Sequence, residues 1–138
     1  MPLYICNTRK DALNNDAKQK IAEDITRIHC AVTGAPPIFV HAAFFEESPM
    51  FPLEDKTLFV RGTIRAGRTD EKKKAIAAQI HESLVKHGGL PSAEAGVHIR
   101  ETPASWVLEG GEIMPEPGEE AAWFAEQEAR RKAMETTA

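Results

Sequence analysis

The sequence predicts an α+β fold: two β-α-β units joined into one four-stranded sheet with both helices on one face, followed by a C-terminal helix. Three observations predict it. Apolar residues recur at helical spacing in two separate stretches, Ile21, Ile25, Ile28 and Val32, then Ile76, Ile80 and Leu84. Short apolar runs precede and follow each stretch, as strands would. The halves also resemble each other. A shift of 55 places Lys18 on Lys73, Ile21 on Ile76, Ile25 on Ile80, Gly34 on Gly89, Pro36 on Pro91 and Glu46 on Glu101.

Taken in order, Leu3 to Cys6 reads as a strand. Asn14, Asn15 and Asp16 offer helix N-cap chemistry, and Gly34 with Pro36 and Pro37 stops the first helix. Ile38 to Phe45 is apolar at successive positions and reads as a strand buried on both faces. Ser48 to Lys56 is a loop, and Leu58 to Arg65 the third strand. Thr69-Asp70-Glu71 opens the second helix and Gly88-Gly89 closes it. Val97 to Glu101 is the fourth strand. Ser105 to Met114 reads as a loop or short hairpin. Pro117 then opens the last helix, with Glu119 and Glu120 early and Arg130, Arg131 and Lys132 late, an order that suits the helix dipole. The 138 residues form one domain, with units over 1–56 and 57–104 and the remainder over 105–138. Helices on one face leave the other bare, so an oligomer is expected to cover it.

Composition is that of an ordinary globular chain, with 42% hydrophobic and 28% charged residues. The net charge of -4 argues against generic nucleic-acid binding. No apolar run is long enough to span a bilayer and no signal peptide is visible, so a cytoplasmic location away from membranes is expected. Cys6 and Cys30 then read as reduced, buried thiols.

Three groups could carry chemistry. Arg65 and Arg68 bracket Gly67 at a strand-to-helix junction, where free N–H groups and guanidinium forks suit a carboxylate. On spacing alone, the favoured reading is that both are solvated and pair with Asp70 or Glu71. Pro2 follows the initiator Met, and Met removal would expose a secondary amine that can act as acid or base. Glu109 lies in a partly apolar turn and could activate water. A lone His such as His29, on the first helix, is more often a helix-surface or core residue than a catalytic one, and His98, on the fourth strand, could be structural too. No phosphate-binding loop, dinucleotide fingerprint or metal-ligand spacing is present.

With these residues in view, the chain resembles the tautomerase superfamily, and within it the cis-3-chloroacrylic acid dehalogenase group. The resemblance runs from Pro2 to about Phe124. It is carried by Pro2-Leu3-Tyr4, Ala22-Glu23-Asp24-Ile25-Thr26 before His29, Arg65-Ala66-Gly67-Arg68, Glu101-Thr102-Pro103-Ala104, Glu109-Gly110-Gly111, Pro115-Glu116-Pro117-Gly118-Glu119 and Trp123-Phe124. It implies a homotrimer with the amino-terminal proline at the floor of a pocket. Pro2 would be the general acid or base, Arg65 and Arg68 would hold a substrate carboxylate with His29 assisting, and Glu109 would activate water. No metal or organic cofactor is implied. The sequence departs at His98, where the dehalogenases carry a Tyr that assists the Glu, and at Glu112, where they carry a basic residue. The expected activity is tautomerisation or hydration of small unsaturated or enolisable carboxylates, with weak dehalogenation of cis-3-haloacrylates. The alternative is a non-catalytic trimer that binds small acids in a relic pocket.

Overall fold

Asn14 starts the first helix: its side chain accepts a hydrogen bond from the N–H of Ala17, satisfying a donor that the helix cannot. Fifty-five residues on, Thr69 does the same for the second through Lys72. Gly34 and Gly89 end the two helices in the left-handed region, at φ 75° and 63°, where only glycine is free of strain. The computed structural model describes residues 1–137. Its elements are β1 (Leu3–Thr8), α1 (Asn15–Thr33), β2 (His41–Glu46), β3 (Leu58–Arg65), α2 (Asp70–Gly88), β4 (Ala95–Thr102), a small hairpin of β5 (Leu108–Glu109) and β6 (Glu112–Ile113), and α3 (Glu120–Thr137). Single 3₁₀ turns at Pro37–Phe39 and Ser92–Glu94 precede β2 and β4. Moving α1 and the first of these turns by 55 residues lands on α2 and the second, so the repeat read in the sequence is a repeat of structure.

The sheet order is β2-β1-β3-β4, with β1 and β3 antiparallel at the centre and each outer strand parallel to its inner neighbour. Alternation along the strands sends Tyr4, Cys6, Leu58, Val60 and Ile64 toward Ile21, Ile25, Ile28, Ile76, Ile80 and Leu84 of the helices. The helices are also tied by polar contacts. Ser83 donates to Asp24 Oδ2 at 2.8 Å, and His87 Nε2 stands 3.1 Å from the same oxygen. The opposite sheet face carries Leu3, Ile5, Phe45, Arg61 and His98 and points away from α1 and α2.

Four expectations are corrected. The run from Ile38 is not a doubly buried strand: Pro37–Phe39 form a turn, β2 begins at His41, and as an edge strand it is only partly covered. The last helix starts at Glu120 rather than Pro117, because Gly118 takes φ 93°, outside helical space. That helix also continues to Thr137, so Arg130, Arg131 and Lys132 do not form its last turn. Arg130 and Arg131 instead pair with Glu126 and Glu135 one turn away, and Lys132 with Glu128. Finally, Cys6 is buried but Cys30 only partly so; both are free thiols.

Candidate active site

The N-terminus is held at the middle of the sheet. The register Leu3↔Thr63 places Pro2 beside Ile64 and Met1 beside Arg65 when extended outward. On the other side, the His41 N–H donates to the Pro2 carbonyl at 2.9 Å. Pro2 is buried. With Met1 attached, the chain's amine is that of Met1, and the Pro2 nitrogen is an amide without a proton.

The Met1 amine meets Glu109 Oε1 at 2.6 Å. Burial lowers the basicity of this amine and the nearby Arg65 lowers it further; Glu109 opposes both, and the net effect is downward. Glu109 is carried by the β5–β6 hairpin, whose tip is Gly110 and Gly111 at φ 59° and 83°. His41 Nε2 lies 2.9 Å from the same Oε1. Burial raises the Glu109 carboxyl, but the bonds from the amine and His41 outweigh it and hold the pKa below the usual carboxylate value.

His29 projects from α1 into the interior, where Nδ1 is 2.8 Å from the Tyr4 hydroxyl and the two rings meet edge to face. Burial, then the charges of Arg68, Arg65 and the amine, push its pKa down to about 4. At neutral pH it is an uncharged imidazole.

The two arginines differ. Arg65 is 2% exposed. It donates from Nη1 to the Pro115 carbonyl at 2.6 Å and from Nη2 to Glu120 Oε1 at 2.8 Å. It therefore clasps the segment that leads into α3. Phe39 stacks near its guanidinium and is itself packed by Trp123 and Phe124. Arg68 has a buried Nε with no partner. Burial and the neighbouring Arg65 make it less basic than a free arginine. Neither arginine pairs with Asp70, which takes Lys73, or with Glu71.

Pro2, His29, Arg65, Arg68 and Glu109 thus gather at one end of the sheet. His98 does not join them within this chain. It is exposed on the open face, in the row of Arg61 and Ile5, three residues along from Pro2 and two strands across, roughly 14 Å away. Glu112 is on the outer hairpin strand, neutralised by Arg130 at 2.6 Å. Sequence reasoning missed His41, Tyr4 as the partner of His29, and Glu120 as the partner of Arg65. Phe39, His41 and Glu109 line a cleft of about 230 Å³ with Ile38, Trp123 and Phe124. Among the described residues no group of three or more His, Cys, Asp and Glu side chains could hold a metal ion, and no helix is long and apolar enough to cross a membrane.

The duplicated β-α-β frame thus brings an acid, two guanidinium groups and a neutral imidazole around a partly buried chain terminus, an arrangement with the groups that acid–base chemistry needs. The chain matches the family described as putative oxalocrotonate tautomerase enzyme over residues 1–128, and it belongs to that family of tautomerase-type enzymes. It is 36% identical to a probable tautomerase, LL0574, of Lactococcus lactis subsp. lactis strain IL1403. The 55 aligned residues are 40% of this chain and 90% of that protein, so nearly the whole of that protein corresponds in length to one unit here. Among solved structures it is similar to N1, a member of the cis-3-chloroacrylic acid dehalogenase family. The TM-score is 0.81 at 27% identity, covering 90% of this chain and 91% of that one. It also shares its fold with a fused 4-OT whose structure is a symmetric trimer, with a TM-score of 0.70 at 19% identity, covering 82% and 95%.

Proposed function

We propose that this chain, once Met1 is removed, tautomerises or hydrates small unsaturated or enolisable carboxylates with the Pro2 amine. The observation that carries the reading is the 2.6 Å contact between Glu109 and the chain's amine. Removing Met1 moves the amine one residue along, to Pro2, a step of no more than about 3.8 Å. The space that Met1 fills then becomes available to a substrate beside the same acid.

Arg68 is the principal anchor for the substrate carboxylate, because its Nε is unspent while both Nη groups of Arg65 are engaged. Arg65 supplies field and shape. His29 assists as a neutral donor. In tautomerisation the Pro2 amine takes the enol proton and delivers it to carbon. In hydration the ammonium gives its proton to the α-carbon while Glu109 takes a proton from water, whose oxygen bonds to the β-carbon. A halide on that carbon leaves as the hydroxyl collapses to a carbonyl, so dehalogenation of a cis-3-haloacrylate is the same step with a leaving group. No cofactor or metal takes part in these steps.

The open sheet face, with Leu3 and Phe45 exposed on it and Met50 of the β2–β3 loop exposed beside it, is the surface a homotrimer would cover. His98 lies on that face, so any part it plays in assisting Glu109 requires a neighbouring subunit. The decisive experiment joins intact mass with turnover. A mass lower by one methionine, turnover of an enolpyruvate or 3-haloacrylate, and its loss in Pro2→Ala are expected. Carboxylate binding without any turnover would instead establish the binding-protein alternative.

A further inference from the structure

Oε1 of Glu109 has two partners, the amine and His41, while Oε2 has no hydrogen bond to the described residues. A carboxylate can only accept, so the His41 Nε2 must carry the proton in that bond. One of the two partners leaves with Met1. What then holds Glu109 is its backbone in the β5–β6 hairpin, a two-residue ladder with a diglycine tip, tied to α3 by the Trp123 Nε1–H donating to the Ile113 carbonyl at 2.8 Å and by Arg130 pairing with Glu112. These ties fix the hairpin's backbone and the outer strand; none of them bonds the Glu109 carboxylate. His41 does. It sits in β2 opposite Leu3, and its own N–H is bonded to the Pro2 carbonyl. A single residue therefore spans from the backbone of Pro2 to the side chain of Glu109, with a 2.9 Å contact at each end.

We propose that His41 is a positioning residue: it holds Oε1 of Glu109 at a set distance from the Pro2 amine and leaves Oε2 as the oxygen that meets water. The proposal rests on the reading of Glu109 as the group that activates water. His41 makes no contact with the reacting carbon; it acts through the carboxylate. It also keeps Glu109 ionised, since the hydrogen bond favours the charged form. The charged and titratable groups facing this pair are the chain's amine and, beyond it, Arg65, Arg68 and His29. The remaining cleft residues, Ile38, Phe39, Trp123 and Phe124, carry no charge.

The test is a carbon-13 titration of the Glu109 carboxyl in glutamate-labelled mature protein, assigned by its absence in Glu109→Gln. It is run on wild type, His41→Ala and His41→Gln beside tautomerisation and hydration assays. His41→Ala is expected to raise the Glu109 pKa by about half a unit or more. It should lower the hydration kcat roughly tenfold with KM little changed, and tautomerisation by less than about threefold. His41→Gln keeps an N–H donor and should restore both the titration and hydration. An unchanged Glu109 titration in His41→Ala, or no recovery in His41→Gln, overturns the proposal. A wild type that tautomerises but hydrates nothing, with the same titration shifts, would remove the water-activating role of Glu109 and leave His41 as its positioner.

Discussion

The Tyr4 hydroxyl stands 2.8 Å from Nδ1 of His29, and both side chains are buried. The hydroxyl has no other partner among the described residues, so it donates to Nδ1 rather than leave a buried O–H unpaired. The imidazole proton therefore lies on Nε2. Burial also drives the Tyr4 pKa upward, which keeps the hydroxyl protonated. Tyr4 thereby makes His29 a neutral hydrogen-bond donor of fixed tautomer.

The first prediction is a depressed His29 titration. Its pKa is expected at about 4 in the folded chain against 6.5 in the unfolded one. The unfolded chain then binds more protons between these values. Stability is retained above pH 6.5 and falls as pH drops toward 4, by on the order of 3 kcal/mol. Proton NMR of the ring and denaturant unfolding across this range would check it; a His29 pKa near 6.5 would refute it.

Gly62 provides the second. A Cβ there would overlap the Tyr4 ring, 2.7 Å from Cδ1, and would lie 3.0 Å from Ile99 Cδ1. Gly62→Ala should cost about 1–3 kcal/mol of stability. It should also move His29's pKa toward its ordinary value, because Tyr4 must shift. Thermal unfolding and the same NMR titration report both effects.

The two arginines should separate stability from binding. Arg65→Ala leaves Glu120 without its buried partner and frees the Pro115 carbonyl, a loss of about 3–5 kcal/mol. Arg68→Ala removes an unspent donor and should leave the melting temperature nearly unchanged. It should raise KM for a small carboxylate by about tenfold or more, the worth of one charge-assisted bond of about 1.5–3 kcal/mol. Equal effects of the two changes on stability would contradict the division.

A fourth prediction concerns the chain terminus. An extension ahead of Pro2 that cannot be removed should abolish turnover while leaving the fold intact, since it turns the amine into an amide. Circular dichroism and an enolpyruvate assay on extended and processed protein would decide this. Comparable activity in the two forms would remove Pro2 from the mechanism.

The sheet and two helices were legible because helical spacing and the repeat agree. Ile21, Ile25 and Ile28 recur as Ile76, Ile80 and Ser83, and caps and glycine stops recur with them. The burial of β2 was not legible, because composition alone cannot separate an edge strand from a central one: order in the sheet decides burial, and order is a long-range property. The candidate site was legible where residue type suggests chemistry, as with Arg68 and Glu109, which the fold places near the chain's amine and His29. His41, Tyr4 and Glu120 were not, because each matters through one partner 25 to 68 positions away. His98 occupies the sequence place of the dehalogenases' Tyr with a different residue type, and the register sets it two strands from Pro2 within this chain.

The 55-residue repeat has a consequence for stoichiometry. The shift that carries β1 onto β3 carries Pro2 onto Thr57. Thr57 is internal, and its N–H is committed to the Glu94 carbonyl at 2.8 Å. Two copies of the frame therefore hold one titratable terminus between them. An inactivator that alkylates the site should saturate at one equivalent per chain, three and not six in a trimer, although six β-α-β units are present.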